Sequence, residues 1–171
     1  GGNGLFVRLM RDIGINFKWT DEFQENIHAK TFEVEKNKKY DFVTLLEVIE
    51  HIHNPKKFIN ELINNYSPKV IYISTGIYKK NIPKKDWWYY SFNTGQHLSF
   101  FQNKTLKILA NSINYNYYSV GSIHIFSKIR INKIALFLLC GRFYNLFFYF
   151  FKRGFKSLTL DDSEKISNKN K

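Results

Sequence analysis

Between Tyr40 and Ser74 the sequence sets out a pattern that few folds accommodate. Tyr40-Asp41-Phe42-Val43-Thr44-Leu45-Leu46 is an apolar run that reads as a buried strand. Asn54-Pro55 then opens a helix, because asparagine caps a first turn and proline at the first helical position loses no needed N–H. Phe58, Ile59, Leu62 and Ile63 fall on one face of that helix, and Val70-Ile71-Tyr72-Ile73-Ser74 is a second apolar strand. Strands that are apolar throughout, alternating with helices, belong to a parallel sheet covered on both faces. The expected fold class is therefore α/β.

The flanks extend the pattern. A glycine loop, Gly1-Gly2-Asn3-Gly4, leads into Leu5–Arg11, whose apolar spacing suits a helix ending near Gly14. Ile15 to Trp19 reads as a short buried strand closed by Thr20-Asp21-Glu22. After Ser74 comes a long loop, Gly76 to Phe101, with Trp87-Trp88-Tyr89-Tyr90 and Gly95-Gln96-His97 in it. Loops of this length without their own structure are usually lids or binding segments. Lys104 to Ile113 reads as a helix, and Tyr117–Val120 with Ser122–Ser127 as two closing strands. The predicted division is a domain over residues 1–130, an apolar and basic helical segment over 131–156, and a polar, disordered tail over 157–171.

Charge and cysteine content narrow the partners. Of the net +12, the stretch from Lys128 to Lys171 contributes ten basic residues against three acids, so the remainder is only modestly basic. That distribution speaks for a generally basic surface, or attraction to anionic lipid, and against a nucleic-acid face. Ile134 to Phe151 is broken only by Gly141, Arg142 and Asn145. It falls short of the ~20 residues that span a bilayer and carries a charge near its middle. Its basic flanks suit an interfacial helix, and packing on the domain or in a homodimer is the competing reading. The lone Cys140 excludes an intramolecular disulfide and fits a reducing compartment, so a cytoplasmic protein is expected, with peripheral contact at the inner face of the membrane as a variant.

The glycine loop points to a cofactor. Sheets of this kind bind nucleotides at the carboxyl ends of their strands, where glycine lets the backbone approach the ligand. A dinucleotide fingerprint needs a third small residue for close helix packing, and Val7 stands there, which disfavours NAD and an NAD-dependent oxidoreductase. Asp21, at the end of the expected second strand, sits where a carboxylate can accept both ribose hydroxyls.

The run Tyr40-Asp41-Phe42-Val43-Thr44-Leu45-Leu46-Glu47-Val48-Ile49-Glu50-His51-Ile52-His53-Asn54-Pro55 closely resembles the fourth-strand motif of class I S-adenosylmethionine-dependent methyltransferases, typically YDxVxxxEVxEHxxxP. Gln96-His97-Leu98-Ser99-Phe100-Phe101, ahead of a helix, resembles a second segment of small-molecule members, and the resemblance spans about Gly1 to Val120. It implies a Rossmann-like, mostly parallel sheet whose first strand is missing from the chain, so that the chain reads as N-terminally truncated. It implies S-adenosylmethionine as cofactor: Gly2 and Gly4 around its methionine part, Asp21 on its ribose, Phe32 or Glu33 near its adenine, and Glu47 beside it. Ubiquinone-pathway O-methyltransferases share the Glu-x-x-Glu-His pattern, and Glu47, Glu50 and His51 at i, i+3 and i+4 offer ligands for a divalent metal, against the plainer role of capping the next helix.

The implied chemistry is in-line attack of a substrate nucleophile on the sulfonium methyl, with the enzyme orienting the pair. A hydroxyl nucleophile calls for a base that titrates near neutrality, and His97 and His51 are the candidates, His97 first because it lies on the loop expected to cover the acceptor. Trp87, Trp88, Tyr89 and Gln96 are the expected substrate contacts, since flat rings with polar edges suit a sugar or an aromatic acceptor. The aromatic loop is similar to those of methyltransferases found among polysaccharide-biosynthesis enzymes. A small-molecule or lipid-linked acceptor, with a sugar hydroxyl as first choice, is therefore expected, and a non-catalytic binding module is the alternative.

Overall fold

The computed structural model describes residues 1–140, 148–149 and 153–169. The chain forms two compact units, Gly1–Lys36 with Arg142–Lys171, and Asn37–Gly141. The division differs from the expected one, because residues 131–140 belong with the sheet and the C-terminal segment belongs with the first residues.

The larger unit is built on a four-stranded sheet. Its elements are β1 (Phe42–Leu46), α2 (Pro55–Tyr66), β2 (Val70–Ser74), α3 (Asn103–Ser112), β3 (Asn116–Val120), β4 (Ile123–Ser127) and α4 (Lys133–Cys140), while Leu5–Asp12, α1, belongs to the other unit. Strand order is β1-β2-β4-β3. β1 and β2 are parallel, as the intervening helix requires, and β4 runs antiparallel to both its neighbours. This is the α/β class read from the sequence, with a parallel pair extended by a reversed hairpin.

Register explains the layering. Leu45 pairs with Ile73, and Ile71 with both Val43 and Phe126, so these side chains share one face. Ile59 and Leu62 of α2 and Leu106, Leu109 and Ala110 of α3 complete the buried cluster there. Asn54 caps α2 by accepting from the Lys57 amide at 3.1 Å, with Pro55 in the first turn, as the sequence implies. On the opposite face Tyr72 pairs with Ile125, which also pairs with Tyr118, and α4 lies against β3. The Tyr118 hydroxyl accepts from the Ile131 amide at 2.9 Å just before α4 begins. No helix among the described residues is long and apolar enough to cross a membrane.

The smaller unit holds α1 (Leu5–Asp12) and α5 (Thr159–Lys169). The expected strand at Ile15–Trp19 is not formed. Only one parallel bridge, Trp19 to Glu33, joins the segments where the second and third strands were expected. The expected disordered tail is also corrected, since residues 159–169 are helical. Ser157 accepts from the Thr159 amide at 3.2 Å, and Asp161 and Asp162 lie in the first turn, where the helix dipole favours acids. Asp162 is fully buried and takes a bidentate pair of bonds from Arg11, 2.8 Å from Nε and 2.6 Å from Nη2. Of the helical segment expected over 131–156, α4 accounts for residues 133–140, and residues 141–147 and 150–152 lie outside the described residues.

Candidate active site

In the larger unit, the sheet delivers its polar residues to one place. The apolar strands β1 and β2 end side by side, and Glu47 and Ser74-Thr75 follow their last apolar residues. This is the carboxyl edge, where α/β sheets bind ligands. Glu47 has a left-handed backbone, φ 49°, uncommon for a residue with a side chain. Ser74 holds it there. The Glu47 amide donates to the Ser74 carbonyl and hydroxyl oxygens, each at 3.1 Å, and the Ser74 hydroxyl donates back to Glu47 Oε1 at 2.8 Å. The chain then makes one helical turn, Ile49–His51, that brings Glu50 and His51 to the same edge.

Glu50 is fully buried. Its Oε2 accepts from the Thr75 hydroxyl at 2.9 Å, while Oε1 has no hydrogen-bond partner. Burial pushes its pKa up, and the neighbouring Glu47 carboxylate adds to the effect. The fold thus favours the protonated acid, with Oε1 the atom free to carry the proton. The Glu50 carbonyl accepts from the amides of Leu98 and Ser99 at 2.8 and 2.9 Å, which ties the long loop to this turn.

That tie positions the histidines. His51 Nδ1 lies 2.9 Å from the Gln96 carbonyl, and His97 Nδ1 lies 2.6 Å from the Tyr89 carbonyl. A carbonyl oxygen only accepts, so in each neutral ring Nδ1 carries the hydrogen and Nε2 keeps its lone pair. The two rings meet edge-on at 4.8 Å. One ligand atom each from Glu50, His51 and His97 lies within 4.8 Å of the others, so the group offers a base, a proton donor or the donors for a divalent ion. Glu47, named with Glu50 and His51 as a possible ligand, is held by Ser74 and Tyr89 instead, and His97 stands in the converging set.

The aromatic loop separates into two roles. Tyr89 is a structural element of the site: buried, its hydroxyl lies 3.2 Å from Glu47 Oε2 and 3.1 Å from the Thr75 hydroxyl, and accepts from the Gly76 amide at 2.7 Å. Burial pushes its pKa up, so it stays a neutral phenol. A Cβ on Gly76 would come within 2.6 Å of the Tyr89 ring, so only glycine admits this close approach. Trp87 packs among Tyr78, Tyr89, Tyr90 and Phe100, at 5.2 to 6.4 Å between ring centroids. Tyr89 is buried and offers no free face to a substrate, while Trp87 is half-buried. Trp88 offers a free face, being 81% exposed, and Gln96 is exposed while its carbonyl anchors His51.

The smaller unit carries the glycine turn. Gly4 caps α1 with φ 90°, and a Cβ there would lie 2.6 Å from Asn26 Oδ1. Gly2 also has positive φ, with open space where a side chain would project. Asn3 Oδ1 accepts from the Leu5 amide at 3.2 Å at the start of α1, and with no acid in the first turn the other amides there suit a carboxylate from a ligand. Asp21 braces this turn: Oδ2 accepts from the Gly2 amide at 2.8 Å, and Oδ1 from the amides of Phe23 and Gln24, each at 2.9 Å. Burial alone would raise its pKa, but the Phe23 amide, the Gly1 amino group and the Gly2 and Gln24 amides together hold it at about 2. Trp19 Nε1 donates to the Gly2 carbonyl at 2.8 Å. Phe32, expected near an adenine, is buried with the Arg11 guanidinium 3.9 Å over its ring, and Glu33 accepts from Asn26 at 2.7 Å.

Four contributors were not among the expected site residues: Ser74, Thr75, Trp19 and Asn26. Ser74 and Thr75 had a signal, since polar residues directly after an apolar strand mark its carboxyl end. Trp19 and Asn26 had none, because they act through loop geometry.

An α/β sheet with paired acids and histidines at the carboxyl ends of its parallel strands, in a chain that also carries a glycine turn capping a helix, defines a nucleotide-cofactor class of protein. A methyltransferase domain family matches residues 1–120. The chain belongs to that family, the class I S-adenosylmethionine-dependent methyltransferases. The ubiquinone biosynthesis O-methyltransferase of Rickettsia canadensis (strain McKiel) is 32% identical over 93 residues, covering 44% of this chain and 39% of that protein. That of Rickettsia bellii (strain OSU 85-389) is 44% identical over 93 residues, with the same coverage of 44% and 39%. The match thus spans about two-fifths of the length of these curated relatives. No solved structure matches the chain.

Proposed function

We propose that the chain takes part in S-adenosylmethionine-dependent methylation of a hydroxyl on a small, largely apolar acceptor, with His97 as the base. The observation that carries this reading is the His97 Nδ1 contact to the Tyr89 carbonyl, which leaves Nε2 as the proton-accepting nitrogen on the loop. When bound, the cofactor supplies an electrophilic methyl group. Gly2 and Gly4 offer a close backbone approach for its methionine part, the start of α1 suits its carboxylate, and Asp21 would take a ribose hydroxyl by giving up one of the four contacts with which it braces the loop. Glu47 is held ready to accept a further hydrogen bond or to balance the sulfonium charge.

The acceptor is read from the loop. Trp88, Phe92 and Leu98 are exposed apolar side chains around His97 in sequence, and they support a flat, apolar substrate. The relatives' names speak for O-methylation in ubiquinone biosynthesis, and they give no support to the sugar hydroxyl of polysaccharide assembly. Incubating the protein with labelled S-adenosylmethionine and a set of phenolic and sugar hydroxyl acceptors tests the proposal. Label should enter a phenol, and His97→Asn should lower kcat by about 10²–10⁴-fold with little change in cofactor affinity. Equal rates for His97→Asn and the native protein would remove the base, and label in the sugars alone would remove the acceptor class.

A further inference from the structure

We propose that the segment from Lys128 to Lys133 and the outer face of α4 form a docking surface for an anionic phospholipid bilayer. From Trp87 to Leu160 the sequence contains no Asp or Glu, while Lys and Arg recur throughout. Within that stretch Lys128, Arg130 and Lys133 are exposed, and none has a carboxylate partner among the described residues. The Lys128 ammonium lies 5.4 Å over the Tyr115 ring. Apolar side chains stand out among these charges: Ile129, Ile134 (72% exposed) and Phe137 (64% exposed). Ile134 and Phe137 are three residues apart and Lys133 and Phe137 four apart, so all three share one helical face. Leu136 turns the other way and is buried. Beside this face α4 and β3 enclose a pocket of about 290 Å³, with Tyr118, Val120, Leu136 and Phe137 among its walls and Lys133 at its margin.

This chemistry selects a bilayer. Exposed apolar groups interspersed with basic ones gain by entering the acyl boundary while the cations, on their longer stems, remain at headgroup level. Against nucleic acid the exposed Ile134 and Phe137 would find no apolar partner. The contact is peripheral, because α4 has eight residues and a span needs about 20.

Flotation of the protein with phosphatidylcholine vesicles, with and without phosphatidylglycerol, tests the surface. Binding is expected only with phosphatidylglycerol, and it should weaken as salt rises. The triple variant Lys128→Glu, Arg130→Glu, Lys133→Glu and the pair Ile134→Ser, Phe137→Ser should each bind at least about tenfold more weakly, the charges because each basic group near such a surface contributes on the order of a fivefold gain. All five side chains are exposed, so thermal melts should match the native protein. Absent binding, equal binding to neutral vesicles, salt-insensitive binding, or variants that are folded and bind as before would each overturn the proposal. So would preferential retention on duplex DNA that the same charge reversals abolish.

Discussion

Glu50 shows how much chemistry one buried carboxyl can store. Its Oε2 is satisfied by Thr75, its Oε1 by nothing, and Glu47 lies close by. The folded-state pKa is raised above the ordinary 4.5, so folding favours the neutral acid. The stability that this group contributes is full below about 4.5 and is lost as pH rises through the folded value. Glu50→Gln, neutral at every pH, should therefore match the native protein near pH 4 in urea unfolding and gain on it progressively towards pH 8. A difference that does not change with pH would contradict the assignment. Glu47 is constrained in another way: its left-handed backbone costs on the order of 1 kcal/mol, and the three bonds to Ser74 keep it there. Such a residue at a strand end is poised for a ligand. The sequence identified both acids and His51 through the Glu-x-x-Glu-His pattern that follows an apolar strand, and His97 through its place on the long loop. It did not separate Tyr89 from Trp88, since adjacent aromatic residues look alike until packing decides which is buried.

Elements differ in how well local sequence specifies them. β1, α2 and β2 are set by apolar runs and by Asn54-Pro55, and they stand within a residue or two of where these signals place them. Helix α5 is the opposite case. Its residues are polar and look solvated, and what orders it is a set of distant contacts led by the buried pair of Arg11 with Asp162, separated by 151 positions in the chain, with Arg8 3.5 Å from Asp162 and 3.3 Å from the Thr159 hydroxyl. No local pattern reports such a partner. Asp162→Ala leaves the buried Arg11 without its carboxylate, with only Asn16 Oδ1 and the Phe17 carbonyl as partners, so it should cost about 3–5 kcal/mol in chemical denaturation of this unit. The double variant Arg11→Met, Asp162→Leu should lose less than Asp162→Ala alone. Additive losses would mean that the pair does not anchor the helix. The Ile15–Trp19 segment fails as a strand for a related reason. Its apolar residues find partners through Phe6 against Phe17 and through the Trp19 bridge, with no continuous ladder.

At the scale of the molecule, two things were legible from composition and motif. The glycine turn, Val7 and the Glu47-to-His51 run together point to one cofactor class, and the family match over residues 1–120 agrees. Val7 is buried on α1, where a dinucleotide fingerprint would need a small residue. The uneven charge was legible as well, although its meaning depends on which side chains α4 leaves exposed. Acceptor choice was the least legible, because it rests on loop side chains whose exposure no periodicity dictates.

We propose that this chain binds S-adenosylmethionine, as its family membership implies, and that Glu47 helps to hold it. Isothermal titration of the protein with S-adenosylhomocysteine, and separately with NADH, tests it directly. Saturable heat is expected with S-adenosylhomocysteine, none with NADH, and at least about tenfold weaker binding for Glu47→Ala, in line with the loss of a charged hydrogen-bond partner. Heat with NADH alone, or S-adenosylhomocysteine binding that Glu47→Ala leaves unchanged, would contradict it.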